Sequence, residues 1–205
     1  NKILVVIDDA YFGLVYKEGI YKESIFSELA DLHENVLAVK LDGATKEDYV
    51  WGLRVGFVTF GIKGGTTSLY SALESKLSGA VRGNISNDSN LGQSLVFHAF
   101  SDPNYWNEKK EKFNILKKRF VKVEHVLKTH PEYKEAFTAL PYNSGYFMCI
   151  KLKNKDAEAV RQVLLKSYDT GVIALGNILR LAFSATPFGQ IEEMFDNIFK
   201  ACKEA

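Results

Sequence analysis

The sequence predicts an α/β protein that continues into a smaller α+β region, and three observations carry that prediction. The chain opens on Ile3-Leu4-Val5-Val6-Ile7, apolar on both faces like a strand in the middle of a parallel sheet. A helix-spaced segment and a second apolar strand follow, the order of a βαβ unit. A long helical pattern from Asn104 to Lys128 then separates this opening from strands and helices that alternate with short links.

Taken in order, Ser24 to His33 places Ile25, Phe26, Leu29, Ala30 and Leu32 at helical spacing, and Val36 to Leu41 reads as the second strand. A third strand, Arg54 to Phe60, follows a stretch too short for a crossover helix, so it is expected to run antiparallel to the second. Gly64 and Gly65 break the chain. Thr66 or Thr67 caps a helix running to about Val81, and another fits Asn90 to Phe100. In the long helix, Phe113, Leu116, Phe120, Val123 and Leu127 form one apolar stripe. Its other faces are strongly basic and read as solvated surface, because no aromatics are spaced along them for stacking on bases. Beyond Pro131 and Pro141 come a strand Tyr146 to Leu152, a helix Asp156 to Ser167, a short apolar piece Val172 to Leu175, a strand Leu179 to Ser184 and an amphipathic helix Pro187 to Lys203. Trp51 and Trp106 are expected to fill core or interlobe space.

Composition narrows the function. The 205 residues are 46% hydrophobic and 25% charged, which excludes a disordered chain. The formal net charge of +1 gives no global field to recruit nucleic acid or an acidic membrane. Two cysteines, Cys149 and Cys202, are too few for a disulfide framework and point to a reducing compartment, hence a cytoplasmic protein. No apolar run approaches the roughly 20 residues of a membrane span. His33, His98, His125 and His130 lack the spacing of metal ligands, so no metal is expected. The chain starts at Asn1 without Met and enters a strand at once, which suggests a piece of a longer protein with roughly 150 to 200 residues upstream.

Polar residues at strand ends are the first candidates for chemistry, since open α/β sheets bind ligands outside the carboxyl ends of their strands. Asp8 and Asp9 end the first strand; Asp42 ends the second, with Thr45 and Lys46 close behind. One reading is a signalling receiver with Asp42 as phospho-acceptor. That chemistry needs its hydroxyl and lysine on separate strands, and here Thr45 and Lys46 follow Asp42 directly. A non-catalytic interaction domain is a further alternative. In isolation, Asp8-Asp9 is also an ordinary turn or helix cap, and Lys46 an ordinary solvated lysine.

Three segments in order resemble a known family. Lys46-Glu47-Asp48-Tyr49-Val50-Trp51-Gly52-Leu53-Arg54-Val55-Gly56 looks like the Lys, seven residues, Arg, then Val-Gly signature of pyridoxal-phosphate-dependent aminotransferases of fold type I, class I/II. Asp8-Asp9-Ala10-Tyr11 resembles the family's Asp-x-x-Tyr segment upstream, and Leu179-Arg180-Leu181 its late arginine strand. The resemblance covers the later half of such an enzyme. It implies a three-layer remainder of the fold type I large domain over 1–100, then a linking helix and small α+β C-terminal domain over 101–205.

It also implies roles. Lys46 is the Schiff-base lysine, which must attack an aldehyde as the neutral amine, a form that burial favours, and which then shuttles a proton. Asp8 keeps the pyridine nitrogen protonated, Tyr11 hydrogen-bonds the phenolic oxygen, and Arg54 pairs with the cofactor phosphate. Arg180 grips the substrate carboxylate. Arg82 and Ser86 resemble a segment that reaches the partner subunit's site, Ser86 touching its phosphate, which implies a homodimer. Where the family often has Ser or Thr three residues before the lysine stands Gly43, so Thr45 is the substitute phosphate ligand. The expected activity is amino-group transfer between an amino acid and a 2-oxo acid. The same residues would also serve a carbon–sulfur lyase, a decarboxylase or a synthase. The family's N-terminal half, with its glycine-rich phosphate turn and ring-stacking aromatic, has no counterpart here, so the chain alone is expected to be inactive.

Overall fold

The computed structural model describes residues 1–205 and divides into two compact units. The first comprises Asn1–Val15 and Gly19–Lys109; the second comprises Tyr16–Glu18 and Lys110–Ala205. The chain is a mixed α/β protein with no closed barrel. No helix is long and apolar enough to cross a membrane.

In the first unit, β1 (Ile3–Asp8), β2 (Val36–Asp42) and β3 (Phe57–Gly61) form a sheet of that order, parallel between β1 and β2 and antiparallel between β2 and β3. The strand expected at the centre of a parallel sheet is thus an edge strand, bonded on one side, with Ile3, Leu4 and Val6 53%, 62% and 55% exposed. A run apolar on both faces reports the surroundings that its side chains favour; it does not say which strands of the same chain supply them. The expected helix Ser24 to His33 shrinks to one turn, α1 (Phe26–Leu29). The His33 ring accepts from the Asn35 N–H at 3.0 Å and Val36 N–H bonds the His33 carbonyl, turning the chain into β2 instead of extending the helix.

A one-turn helix, α2 (Ala44–Glu47), follows β2. Beyond β3, α3 (Thr67–Asn84) begins on Thr66, whose hydroxyl accepts from Leu69 N–H, and α4 (Asn90–Phe100) on Ser89, which accepts from Gly92 N–H. One buried cluster of the unit joins Ala44, Val55 and Val96, with Val50 and Leu53 against them, and Leu14, Val36, Ala38 and Val39 are also buried. Gly92 lets α4 close on the loop before β3, since a Cβ there would stand 2.7 Å from the Leu53 carbonyl oxygen. Trp51 and Trp106, expected to fill core or interlobe space, are 75% and 71% exposed in this chain. Trp106 instead meets Tyr105 edge-on.

The long helix α5 (Tyr105–Thr129) has its first residues in the first unit and the rest in the second. Its stripe buries Leu116, Phe120, Val123 and Val126, the last taking the place expected for Leu127. The second unit's sheet has the order β4-β5-β7-β6, all antiparallel, from β4 (Phe137–Ala139), β5 (Met148–Leu152), β6 (Ile173–Leu175) and β7 (Ile178–Leu181). Alternation places Met148, Ile150, Leu152, Leu179 and Leu181 on the buried face. Helix α6 (Ala157–Ser167), capped by Asp156, contributes Val160 and Leu164, and α7 (Ile191–Glu204) contributes Ile191, Phe195 and Ile198. Tyr16 inserts among Phe113, Phe120 and Phe183, with ring centroids 5.3, 5.4 and 6.4 Å away. β7 ends at Leu181, short of Ser184, because Ala185 N–H turns back onto the Ala182 carbonyl.

Candidate active site

The parallel register of β1 and β2 brings Asp8 opposite Leu41, so both strands release their chains at the same edge of the sheet. β3 runs the other way, and Phe57 lies opposite Asp42, so the residues just before β3 return to that edge. A cleft of about 260 Å³ opens there, lined among others by Asp8, Asp42, Thr45, Lys46, Arg54 and Gly56.

Local chemistry explains how each residue reaches it. Asp8 Oδ1 accepts from Ala10 N–H at 3.1 Å, which fixes the carboxylate at the end of β1. Asp9 turns elsewhere and accepts a hydrogen bond from the Ser24 hydroxyl. Phe12 N–H bonds the Asp9 carbonyl and Leu14 N–H that of Tyr11, curling the segment so that the Tyr11 ring lies under the Lys46 ammonium, 4.8 Å from its centroid. Lys46 and Thr45 sit on α2, anchored by the fully buried Ala44. Asp42 is ion-paired with Lys40.

Gly43 has a clear steric reason. A Cβ there would lie 2.6 Å from the Val55 carbonyl oxygen and 2.8 Å from Gly56 Cα, so no serine or threonine fits without moving the backbone. Arg54 was expected on a strand, but it precedes β3 and adopts φ +57°. Tyr49 in the same loop has φ +61°. Two non-glycine residues in the left-handed region of one short loop mark stored backbone strain, which concentrates at functional sites.

Asp8, Thr45, Lys46 and Arg54 therefore line one cleft, with Tyr11 against Lys46. Arg82 and Ser86 do not line it. They stand at the end of α3, where the Arg82 guanidinium donates to the Ser86 hydroxyl at 2.8 Å and Ser86 has φ +70°. Arg180 belongs to the second unit, opposite Cys149 on β5, and its guanidinium lies 3.8 Å over the Phe147 ring. No group of three or more His, Cys, Asp or Glu side chains is placed to hold a metal ion.

Sequence reasoning missed a polar cluster behind Lys46. Lys109 Nζ donates to Glu47 Oε1 at 3.0 Å, to Asp48 Oδ1 at 2.9 Å and to the Tyr105 oxygen at 3.2 Å, and the Tyr105 hydroxyl donates to Asp48. Burial pulls the Lys109 ammonium down, but the hydrogen bonds to Asp48, Glu47 and Tyr105 outweigh it and hold it above the ordinary lysine value. Burial, helped by the bond to Asp48, pushes the Tyr105 hydroxyl up to about 12. Lys109 stands 62 and 61 positions from Glu47 and Asp48, and Tyr105 57 from Asp48, so no local pattern marks these pairs.

The profile of the family described as aminotransferase class I and II matches residues 1–198. The chain belongs to the class I and II aminotransferases. No curated protein sequence matches it. Among solved structures, it is similar to an aminotransferase from Anaerococcus prevotii at 22% identity and TM-score 0.78, over 99% of this chain and 48% of that one. It is likewise similar to the alpha-aminoadipate aminotransferase of Thermus thermophilus, at 23% identity and TM-score 0.75 over 98% of this chain and 50% of that one. A kynurenine aminotransferase from Pyrococcus horikoshii matches at 19% identity and TM-score 0.75, over 98% and 48% of the respective chains. The chain thus spans about half the length of these structures. Aminotransferases of this family use pyridoxal phosphate. The cleft's donors suit that group: an amine for its aldehyde, a carboxylate for its ring nitrogen, and a guanidinium and hydroxyl for its phosphate.

Proposed function

We propose that the protein to which this chain belongs is a cytoplasmic, homodimeric aminotransferase that moves an amino group between an amino acid and a 2-oxo acid. The observation that carries the reading is the convergence of Asp8, Thr45, Lys46 and Arg54 on one cleft, with Tyr11 against Lys46, in a class I and II aminotransferase chain. Pyridoxal phosphate, when bound, supplies an aldehyde and a ring that draws electrons from the substrate Cα. Lys46 Nζ would hold the aldehyde carbon and, once released from it, would take the proton from the substrate Cα and deliver it to that carbon. The Asp8 carboxylate holds a proton on the ring nitrogen, and the Tyr11 hydroxyl bonds the phenolic oxygen. Arg54 and Thr45 hold the phosphate, joined from the partner by Ser86. Arg180 pairs its planar fork with the substrate carboxylate, with Arg82 as a second cation for the substrate.

The 205 residues by themselves should bind the cofactor weakly and turn nothing over, because they span about half of the relatives' length. The test is to incubate the chain with excess pyridoxal phosphate, reduce with borohydride and map the adduct by mass spectrometry. An adduct on Lys46 that is lost in Lys46→Ala supports the reading. An adduct distributed over surface lysines and unchanged in Lys46→Ala sinks it.

A further inference from the structure

The chain has five arginines, Arg54, Arg82, Arg119, Arg161 and Arg180. Three of them spend donors on the protein. Arg82 donates to the Ser86 hydroxyl, Arg119 to the Ser184 carbonyl, and Arg161 to both carboxylate oxygens of Glu158. The guanidinium groups of Arg54 and Arg180 make no ion pair or hydrogen bond within the chain. Arg180 is nevertheless held, because its guanidinium lies 3.8 Å from the centroid of the Phe147 ring. That contact differs in kind from an ion pair. The ring attracts the cation through the face of the guanidinium and uses none of its N–H donors, which lie in the guanidinium plane and point outward from its edge. A carboxylate partner would instead fill the fork, as Glu158 does on Arg161.

The surroundings keep that edge open. Strand register sets Cys149 of β5 and Ile173 of β6 on either side of Arg180, with Lys151 and Ile178 next along the same face, and none of these is acidic. The ring is fixed from its own backbone. Gly145, at φ +75°, turns the chain toward β5, the Ser184 N–H donates to the Tyr146 carbonyl at 3.2 Å, and the Ser184 carbonyl is held in turn by Arg119 on α5.

We propose that Phe147 is a positioning residue for Arg180: its ring carries the guanidinium by the face and leaves the donor edge free for the substrate carboxylate. The inference rests on the reading of Arg180 as the group that grips that carboxylate. It adds the residue that sets the direction of the grip. Without the ring, the arginine side chain samples many rotamers, and this freedom must be given up when a carboxylate binds.

The test follows the Arg180 Nε–H signal by NMR in the 205-residue chain at pH 6, assigned by its absence in Arg180→Lys, while pyruvate is added as a 2-oxo acid probe at constant ionic strength. In the wild-type chain the signal should lie upfield of its position in the urea-unfolded chain, as a group over an aromatic face does, and should move with pyruvate. Phe147→Leu should abolish the upfield displacement and weaken pyruvate binding about three- to tenfold. Phe147→Tyr, which keeps the ring, should preserve the displacement and stay within about twofold of wild-type affinity. Equal pyruvate affinity in a folded Phe147→Leu chain, or a tyrosine variant as weak as the leucine one, overturns the proposal. Should Phe147→Leu lose its fold by circular dichroism, the wild-type signal decides alone, since an Arg180 resonance without the upfield displacement overturns the proposal and one that carries it supports it. The two readings fail differently. A wild-type signal that ignores pyruvate defeats Arg180 as the carboxylate group and the proposal with it, whereas a signal that moves equally in Phe147→Leu defeats only the role of Phe147.

Discussion

The two units of the chain distribute burial and chemistry in opposite ways. The second buries large side chains completely, with Phe120, Phe137, Phe183 and Phe195 at its centre, and keeps its candidate functional group, Arg180, on the other face of β7. The first holds the cleft with Lys46, yet its buried residues are small or medium aliphatics, Leu14, Val36, Ala38, Val39, Ala44, Val55 and Val96, and α3 has no buried residue at all. Stability of the isolated chain should therefore reside in the second unit, while the reactive groups sit where packing is thinnest. Marginal packing beside a site is a general pattern, since elements that bind and move are drawn from the less stable parts of a fold.

The sharpest way to break this contrast is by truncation of matched apolar residues. Phe195→Ala should cost about 3–5 kcal/mol in urea unfolding, as a fully buried aromatic replaced by a cavity does, whereas Leu4→Ala on β1 should stay within about 0.5 kcal/mol. Comparable losses at the two positions would refute the division. Within the first unit, Gly43→Ser tests close approach of backbone to backbone. It should cost about 1–3 kcal/mol through the forced separation of Gly43 from Val55 and Gly56, and weaken Lys46 adduct formation in the same sample. Arg54→Gly should do the reverse for stability. Relieving the left-handed strain at φ +57° should gain about 1 kcal/mol, while the reduced adduct on Lys46 falls for want of a phosphate partner. A variant both less stable and fully able to form the adduct would show that Arg54 serves the fold and not the site.

The smallest expected effect lies in the second unit and depends on pH. His130 bonds Glu132 at 2.8 Å and Glu192 at 3.2 Å and stacks on Tyr133. The hydrogen bond to Glu132, opposed by burial and joined by the bond to Glu192, holds His130 above its ordinary 6.5. A raised folded value contributes stability fully below 6.5 and loses it as pH rises through that value. Glu132 and Glu192 are held below their ordinary 4.5, the former first by a backbone hydrogen bond and the latter first by Lys122, so their contribution is present above 4.5 and lost as pH falls through the lowered values. His130→Gln should therefore lower the melting temperature most between 4.5 and 6.5 and least near pH 9. An equal deficit at both ends would remove the ionic explanation.

Much of this fold was legible because its signals are local. The apolar runs of β5 and β7, the stripes of α5 and α7 and the capping residue Thr66 each report a few neighbouring positions. Lys46 and Arg54 could be paired in advance because the segment from Lys46 to Gly56 resembles the family signature that contains both, and the short link before β3 pointed to its antiparallel direction. What escaped depends on contacts remote in sequence or on backbone angles that side-chain types do not encode. The Lys109 cluster is of the first kind. The left-handed Arg54, a strand residue by pattern alone, is of the second. β1 is a third case: its run is apolar on both faces, and in this chain β2 alone pairs with it.

That edge strand has a practical consequence. β1 presents a row of backbone donors and acceptors beside bare Ile3, Leu4 and Val6, which is the template on which separate molecules add strands to one another. Concentrated solutions of the chain should therefore associate through β1 before anything unfolds, and a lysine at position 4 would act as a gatekeeper that keeps preparations monodisperse.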